Sequence, residues 1–294
     1  MMKYTKAAFT YFFDKGPYLV LLSIVPSLLT ALLFSPTATL DYLLEYRDIV
    51  FTDFGAMYSD IHRLPYSVFY LGIIGMILYV AAFALMFGIV DRHMRIGEFT
   101  LSFRRAKTRL NYNLLTALRF GFFYGVAFLL GDILLTVLYY LWAVTFGAGA
   151  EWLAFSTISW LVVTVLLLLV STRMMLWAPF MLHTGLRSYD AFRMGWRQMS
   201  GRMISASLAL FFVLVPAVVV TVIVGALTES VLWRVITDGV IYSVVLSFYV
   251  VLMYTVFYDV TGTERMDLQK IDIWSKKWKW KISANKDKED EKRG

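Results

Sequence analysis

Cysteine is absent from the 294 residues. That excludes a disulfide scaffold, a thiolate metal site and a cysteine nucleophile. Charge is scarce: Asp, Glu, Lys and Arg make up 17% of the chain, against about 25% in an ordinary soluble domain. Histidine is confined to His62, His93 and His183, and none of them lies within a long apolar run. No His-Glu-x-x-His, phosphate-loop or Gly-x-Ser-x-Gly pattern occurs. The sequence therefore offers no catalytic set, and no enzyme activity, metal or cofactor is expected of it. What remains is apolar. Hydrophobic residues make up 59% of the chain, enough to exclude disorder for most of its length and to make a membrane protein the leading class.

A hydrocarbon core of about 30 Å needs roughly 20 apolar helical residues. Six such runs occur, at 17–35, 66–90, 120–143, 153–178, 204–227 and 237–258, and only Asp132, Arg173 and Asp238 are formally charged inside them. Stretches such as 161–170 do not alternate, so helices rather than barrel strands are expected. The segments 1–16, 91–119, 179–203 and 259–294 carry 24 of the 28 Lys and Arg residues, and the segments on the other side carry three. By the positive-inside rule both termini are expected in the cytoplasm. The expected fold is an all-α membrane protein of six transmembrane helices, arranged as three helical hairpins with cytoplasmic interfacial amphipathic helices. The membrane domain would span 17–258, preceded by an interfacial segment at 1–16 and an uncleaved first span.

Two patterns suggest a threefold repeat of hairpins. Each return span is followed by Gly, at Gly97, Gly185 and Gly262, and five residues later by Ser102, Asp190 or Asp267. Gly can end the incoming helix in the left-handed conformation, and Ser or Asp can cap the next one. Each outgoing span has a helix breaker at its middle, namely Pro26, Gly131 and Pro216. Between hairpins, 98–112 and 188–203 interleave basic and apolar residues, as in Arg193, Trp196 and Arg197. Such segments are either interfacial helices or ordinary connectors. The segment 259–282 places Trp274, Trp278 and Trp280 among Lys276, Lys277 and Lys279, which favours a bilayer surface over nucleic acid. The stretch 283–294 reads as a disordered, mixed-charge tail.

From Ala178-Pro179-Phe180 through Asp190-Ala191-Phe192-Arg193-Met194-Gly195-Trp196 to Gly201-Arg202, and on into an apolar span, the chain resembles the uncharacterised YciC-like bacterial multi-pass membrane proteins. These are related to the membrane domain fused to some glycerophosphodiester phosphodiesterases. The resemblance covers about 170–230; a fainter likeness is to YesL-type membrane proteins. It implies the fold and a bacterial plasma membrane. It brings no catalytic residues, and no soluble stretch here is long enough for the phosphodiesterase domain.

The residues left to carry function are few. Asp132 lies halfway along its span, where a carboxylate costs roughly 2.5–3.5 kcal/mol. Helical spacing places it with Gly121, Gly125, Phe128, Thr136 and Tyr139 on one face, expected to pack against another helix, with Thr164 as a hydrogen-bond partner. It is either an interhelical clamp or a proton or cation site. Arg173, Arg193, Arg197, Lys276, Lys277 and Lys279 are candidate contacts for anionic lipid. Asp238 is expected to cap a helix start, and Gly239, Ser243 and Ser247 to form a packing seam. Asp91-Arg92-His93 reads as a helix-end charge cluster. Expected partners are the lipid bilayer, anionic lipids and other membrane proteins, with no nucleic acid. Two functional classes stay open: a non-enzymatic accessory or scaffold, and a small transporter using Asp132.

Overall fold

The computed structural model describes residues 3–37, 53–61, 66–99, 103–147 and 149–268. These are helical, with no strand among them: α1 Lys3–Thr30, α2 Phe54–Ile61, α3 Phe69–Ile96, α4 Phe103–Phe146, α5 Ala150–Met174, α6 Trp177–Thr184, α7 Ser188–Met199, α8 Met203–Leu227 and α9 Val231–Thr261. Six stretches are long and apolar enough to cross a membrane: α1, α3, most of α4, α5 with α6, α8 and α9. The chain is a polytopic membrane protein. Each apolar run of the sequence lies wholly or mostly in one of these stretches, because in lipid a helix satisfies its backbone groups internally.

Two boundaries differ from the sequence reading. Residues 3–16 are not a separate segment but the first half of α1, since nothing before Pro17 interrupts the helix and Tyr4, Ala8 and Tyr11 are buried. Residues 103–112 likewise open α4, a single helix of 44 residues, about 66 Å long. The expected breakers do not break: α1 runs through Pro26, α4 through Gly131 and α8 through Pro216. A proline removes one hydrogen bond, which membrane helices tolerate; one turn on, the Thr30 hydroxyl donates to the Pro26 carbonyl at 2.8 Å.

The core is organised around α9. In its most apolar stretch 72% of residues are buried, against 6% in α4, so α9 is the central element and α4 the peripheral one. α9 packs most extensively on α1, and α1 in turn on α3; α4 packs on α3 and α5, and α8 on α9. The α1–α9 contact is close because its residues are small. A Cβ at Gly239 would lie 2.7 Å from Leu28, and Ser23 and Ser243 share a 2.6 Å hydrogen bond between their hydroxyls. Ser27 and Ser247 are fully buried in the same region. Small side chains let the backbones approach, the usual basis of helix association in lipid.

Candidate functional site

The helices alternate in direction, so the amino terminus of α1, the carboxyl termini of α3, α6 and α9, and the amino terminus of α8 meet at one end of the bundle, here called the terminal end. Three glycines shape it. Gly97, Gly185 and Gly262 stop α3, α6 and α9 with φ of 70°, 65° and 66°, a region that L side chains rarely adopt. Two of the residues expected to cap the following helices do something else. Asp190 lies inside the first turn of α7, behind Arg187 at the N-cap, where its charge suits the helix dipole. Asp267 pairs with Arg265 at 2.7 Å, and Ser102 lies outside the described residues.

Just before those glycines the polar side chains converge. Asp91 of α3, only 13% exposed, faces the Nε2 of His183 in α6 at 2.6 Å. The Tyr258 hydroxyl of α9 donates to the same carboxylate oxygen at 2.9 Å, and Arg95 lies 3.5 Å from the other. Tyr254 and Phe257 wall the histidine ring. The helix-end charges at Asp91 thus form a hub joining α3, α6 and α9, and Arg92 is drawn away to Glu98 at 3.0 Å. A second hub sits at Asp259, where Lys3, Tyr4 and Arg202 meet and tie α1 and the start of α8 to α9. A third contact links His93 Nδ1 of α3 to the Tyr11 hydroxyl of α1 at 2.9 Å. Chemically the two carboxylate hubs are charge-assisted clamps, in which the less exposed hydrogen bonds to Asp91 outweigh the solvent-screened pairs made by Lys3, Arg95 and Arg202. No group of three or more His, Asp or Glu among the described residues could hold a metal ion.

Beside the hubs lies α7. Ala191, Gly195 and Met199, one helical turn apart, form its buried stripe. The indole of Trp177 donates to the Ser188 carbonyl at 2.7 Å, which folds α7 back onto α6. Arg173, expected at the lipid surface, is committed to α7: it donates to the Trp196 carbonyl at 3.1 Å and the Ser200 hydroxyl at 2.9 Å, and its guanidinium stacks over the Trp196 ring. Arg193 and Arg197 are exposed and line a hollow with Asp190, Met194 and Gln198. Lys276, Lys277 and Lys279 lie outside the described residues, as do residues 283–294.

The opposite end holds a site the sequence reading placed wrongly. Asp238 is no cap: α9 starts at Val231, and Asp238 sits two turns inside with 1% of its surface exposed. Its Oδ2 accepts the Ser35 and Thr37 hydroxyls at 2.7 and 2.8 Å. The reason is the start of α9 before its apolar run, with Arg234 buried and donating to the Thr228 carbonyl at 2.8 Å. Midway, Asp132 and Thr164 are both half-buried on the paired helices α4 and α5, where Gly131 sits against Leu167. The face expected to pack is divided. Thr136 and Tyr139 are buried, but nothing lies near Gly121 or Gly125 and Phe128 is exposed, because α4 touches its neighbours along only part of its length. The other hollow that stands out, lined by Leu161, Val162, Val165 and Leu166, is a shallow apolar surface of α5; neither hollow reaches Asp132.

Sequence reasoning missed the hubs. Their signal was present, since Asp91, His183 and Asp259 each fall within seven residues before a helix-stopping glycine. Comparison with known proteins finds no matching family model, no matching curated protein and no matching solved structure.

Proposed function

We propose that this chain is a non-enzymatic accessory or scaffold of a bacterial plasma membrane, built as three helical hairpins with both termini cytoplasmic. In this reading the terminal end meets partner membrane proteins and lipid, and α7 is an amphipathic helix at the cytoplasmic surface. The observation that carries it is the terminal end itself: its half-buried carboxylates Asp91 and Asp259 are engaged in clamps between helices, while α7 presents an exposed basic and aromatic surface beside them. The charge asymmetry of the connections and the YciC-like residues between 170 and 230 point the same way. Purification in mild detergent, with mass spectrometry of co-purifying protein and lipid, is expected to return a protein or lipid in fixed ratio to the chain. An empty chain that moves ions or solutes in proteoliposomes would sink the reading.

One observation favours a second reading, a small-solute or ion transporter with Asp132 as a midplane proton or cation site. The hydroxyls of Tyr139 and Ser156 are buried without a hydrogen-bond partner on the stretch of α4 and α5 that continues outward from Asp132. Such groups usually mark bound water or a ligand. On this reading proteoliposomes show a pH-dependent flux that Asp132→Asn abolishes; no flux, or full pH dependence in the variant, removes it.

A further inference from the structure

The terminal end sorts its cations into two groups. Lys3 and Arg202 are held by Asp259, Arg92 by Glu98, Arg95 by Asp91, and Arg265 by Asp267. Arg173 is held by α7. Arg193 and Arg197 are different. Like Lys6 and Arg187 they are exposed, with no side-chain ion pair or hydrogen bond among the described residues; unlike those two they lie one helical turn apart, in a hollow that Asp190 also lines.

Helical geometry gives these two arginines a direction. At about 100° per residue, the buried stripe of Ala191, Gly195 and Met199 marks the underside of α7. Phe192, Trp196 and Tyr189 fall on one flank, and Arg193 and Arg197 beyond them toward the opposite pole. Tyr189 is 72% and Trp196 42% exposed. The flank is anchored, since Arg173 grips the Trp196 carbonyl and ring and Phe192 meets Trp177 edge-on. The helix is fixed at the surface end of two membrane-crossing stretches, because α6 continues α5 on one side and α8 begins at Met203 on the other. Exposed rings beside two free guanidinium groups at that depth match the headgroup layer: rings enter the glycerol region, and each guanidinium can take a phosphate in a forked pair of hydrogen bonds.

We propose that α7 is a built-in site for anionic phospholipid, with Arg193 and Arg197 binding the headgroup phosphate and Trp196 and Tyr189 seated in the leaflet beside it. The assignment rests on the scaffold reading above and names the lipid chemistry its terminal end recognises. The hubs serve it indirectly: His183–Asp91 fixes α6, on which α7 rests, so the arginines are held in place before lipid arrives.

The test uses the full chain in nanodiscs of equal phosphatidylglycerol and phosphatidylcholine, released into the gas phase for native mass spectrometry. The wild type is expected to retain phosphatidylglycerol preferentially and to lose that preference as salt is raised. Arg193→Gln with Arg197→Gln is expected to lower the preference by about thirtyfold, at the scale of one basic residue near an anionic leaflet applied twice. Lysine at both positions is expected to keep most of it. Equal retention of the two lipids by the wild type, or an unchanged preference in the glutamine variant, overturns the assignment. If the double variant fails to fold, Arg193→Gln or Arg197→Gln alone carries the test, each expected to lower the preference by about fivefold. Flux in proteoliposomes tests the scaffold reading and lipid retention tests this one, so the two fail separately.

Discussion

Asp91 is the residue on which most of the terminal end depends. Its carboxylate takes the His183 ring and the Tyr258 hydroxyl on one oxygen and Arg95 on the other. Truncation leaves His183 and Tyr258 without their acceptor at once. Asp91→Ala is expected to cost about 1.5–3 kcal/mol, the scale for losing a hydrogen bond to a charged group. Thermal unfolding in detergent should show the largest drop for this variant, a smaller one for Asp91→Asn and a comparable one for His183→Ala. A melting point unchanged in Asp91→Ala would show that the hub adds nothing to stability. Glycine provides the contrast at the same scale. Gly239 has no room, with Leu28 2.7 Å from where its Cβ would be, whereas Gly125 faces open space. Gly239→Leu is expected to destabilise by about 1–3 kcal/mol or more through overpacking, and Gly125→Leu by less than about 0.5 kcal/mol, as at an ordinary surface position. The same melting series checks both.

Among the elements, α7 depends on polar anchors because it is short and buries only three residues. Its narrow stripe of Ala191, Gly195 and Met199 has limited area, so its placement leans on polar anchors: Trp177 to Ser188, and Arg173 to Trp196 and Ser200. Arg173→Gln removes the second anchor and both of its carbonyl and hydroxyl bonds. Limited trypsin digestion is expected to cut at Arg193 or Arg197 several-fold faster in that variant, since cleavage follows the population of the locally opened state, while the six long helices stay intact. An equal cutting rate would mean that the buried stripe alone holds the helix. The hydrophobic runs made the six long elements legible, because a run of that length has one structural solution in lipid. They said less about ends. Residues 3–16 and 103–112 looked like separate surface helices because their charge content changes there, but charge does not interrupt a helix, and α1 and α4 continue through both. The prolines misled in the opposite direction: a missing backbone donor suggests a break, whereas the loss of one hydrogen bond leaves the rest of the ladder in place, and α1 and α8 run through Pro26 and Pro216.

For the whole molecule, threading is the most direct prediction. With no cysteine in the chain, a single introduced thiol reports its side without background. Thr263→Cys at the terminal end and Ser230→Cys at the opposite end are both exposed. In intact cells an impermeant maleimide is expected to label Ser230→Cys and to reach Thr263→Cys only after lysis. The reverse pattern would invert the orientation and move α7 to the outer leaflet.

What the sequence by itself determined was the number of crossings, the sidedness expected from its cations and the three glycines that end α3, α6 and α9. Each follows from a local property: apolar length, charge count, and the freedom of glycine at positive φ. Only the tertiary structure decided that Asp91 meets His183 and Tyr258, that Asp238 lies deep beneath Ser35 and Thr37 rather than at a helix start, and that Arg173 is consumed while Arg193 and Arg197 are not. Those outcomes depend on which helices become neighbours and how far each extends past its apolar run, and a charged side chain's partner is set by that geometry rather than by its position along the chain.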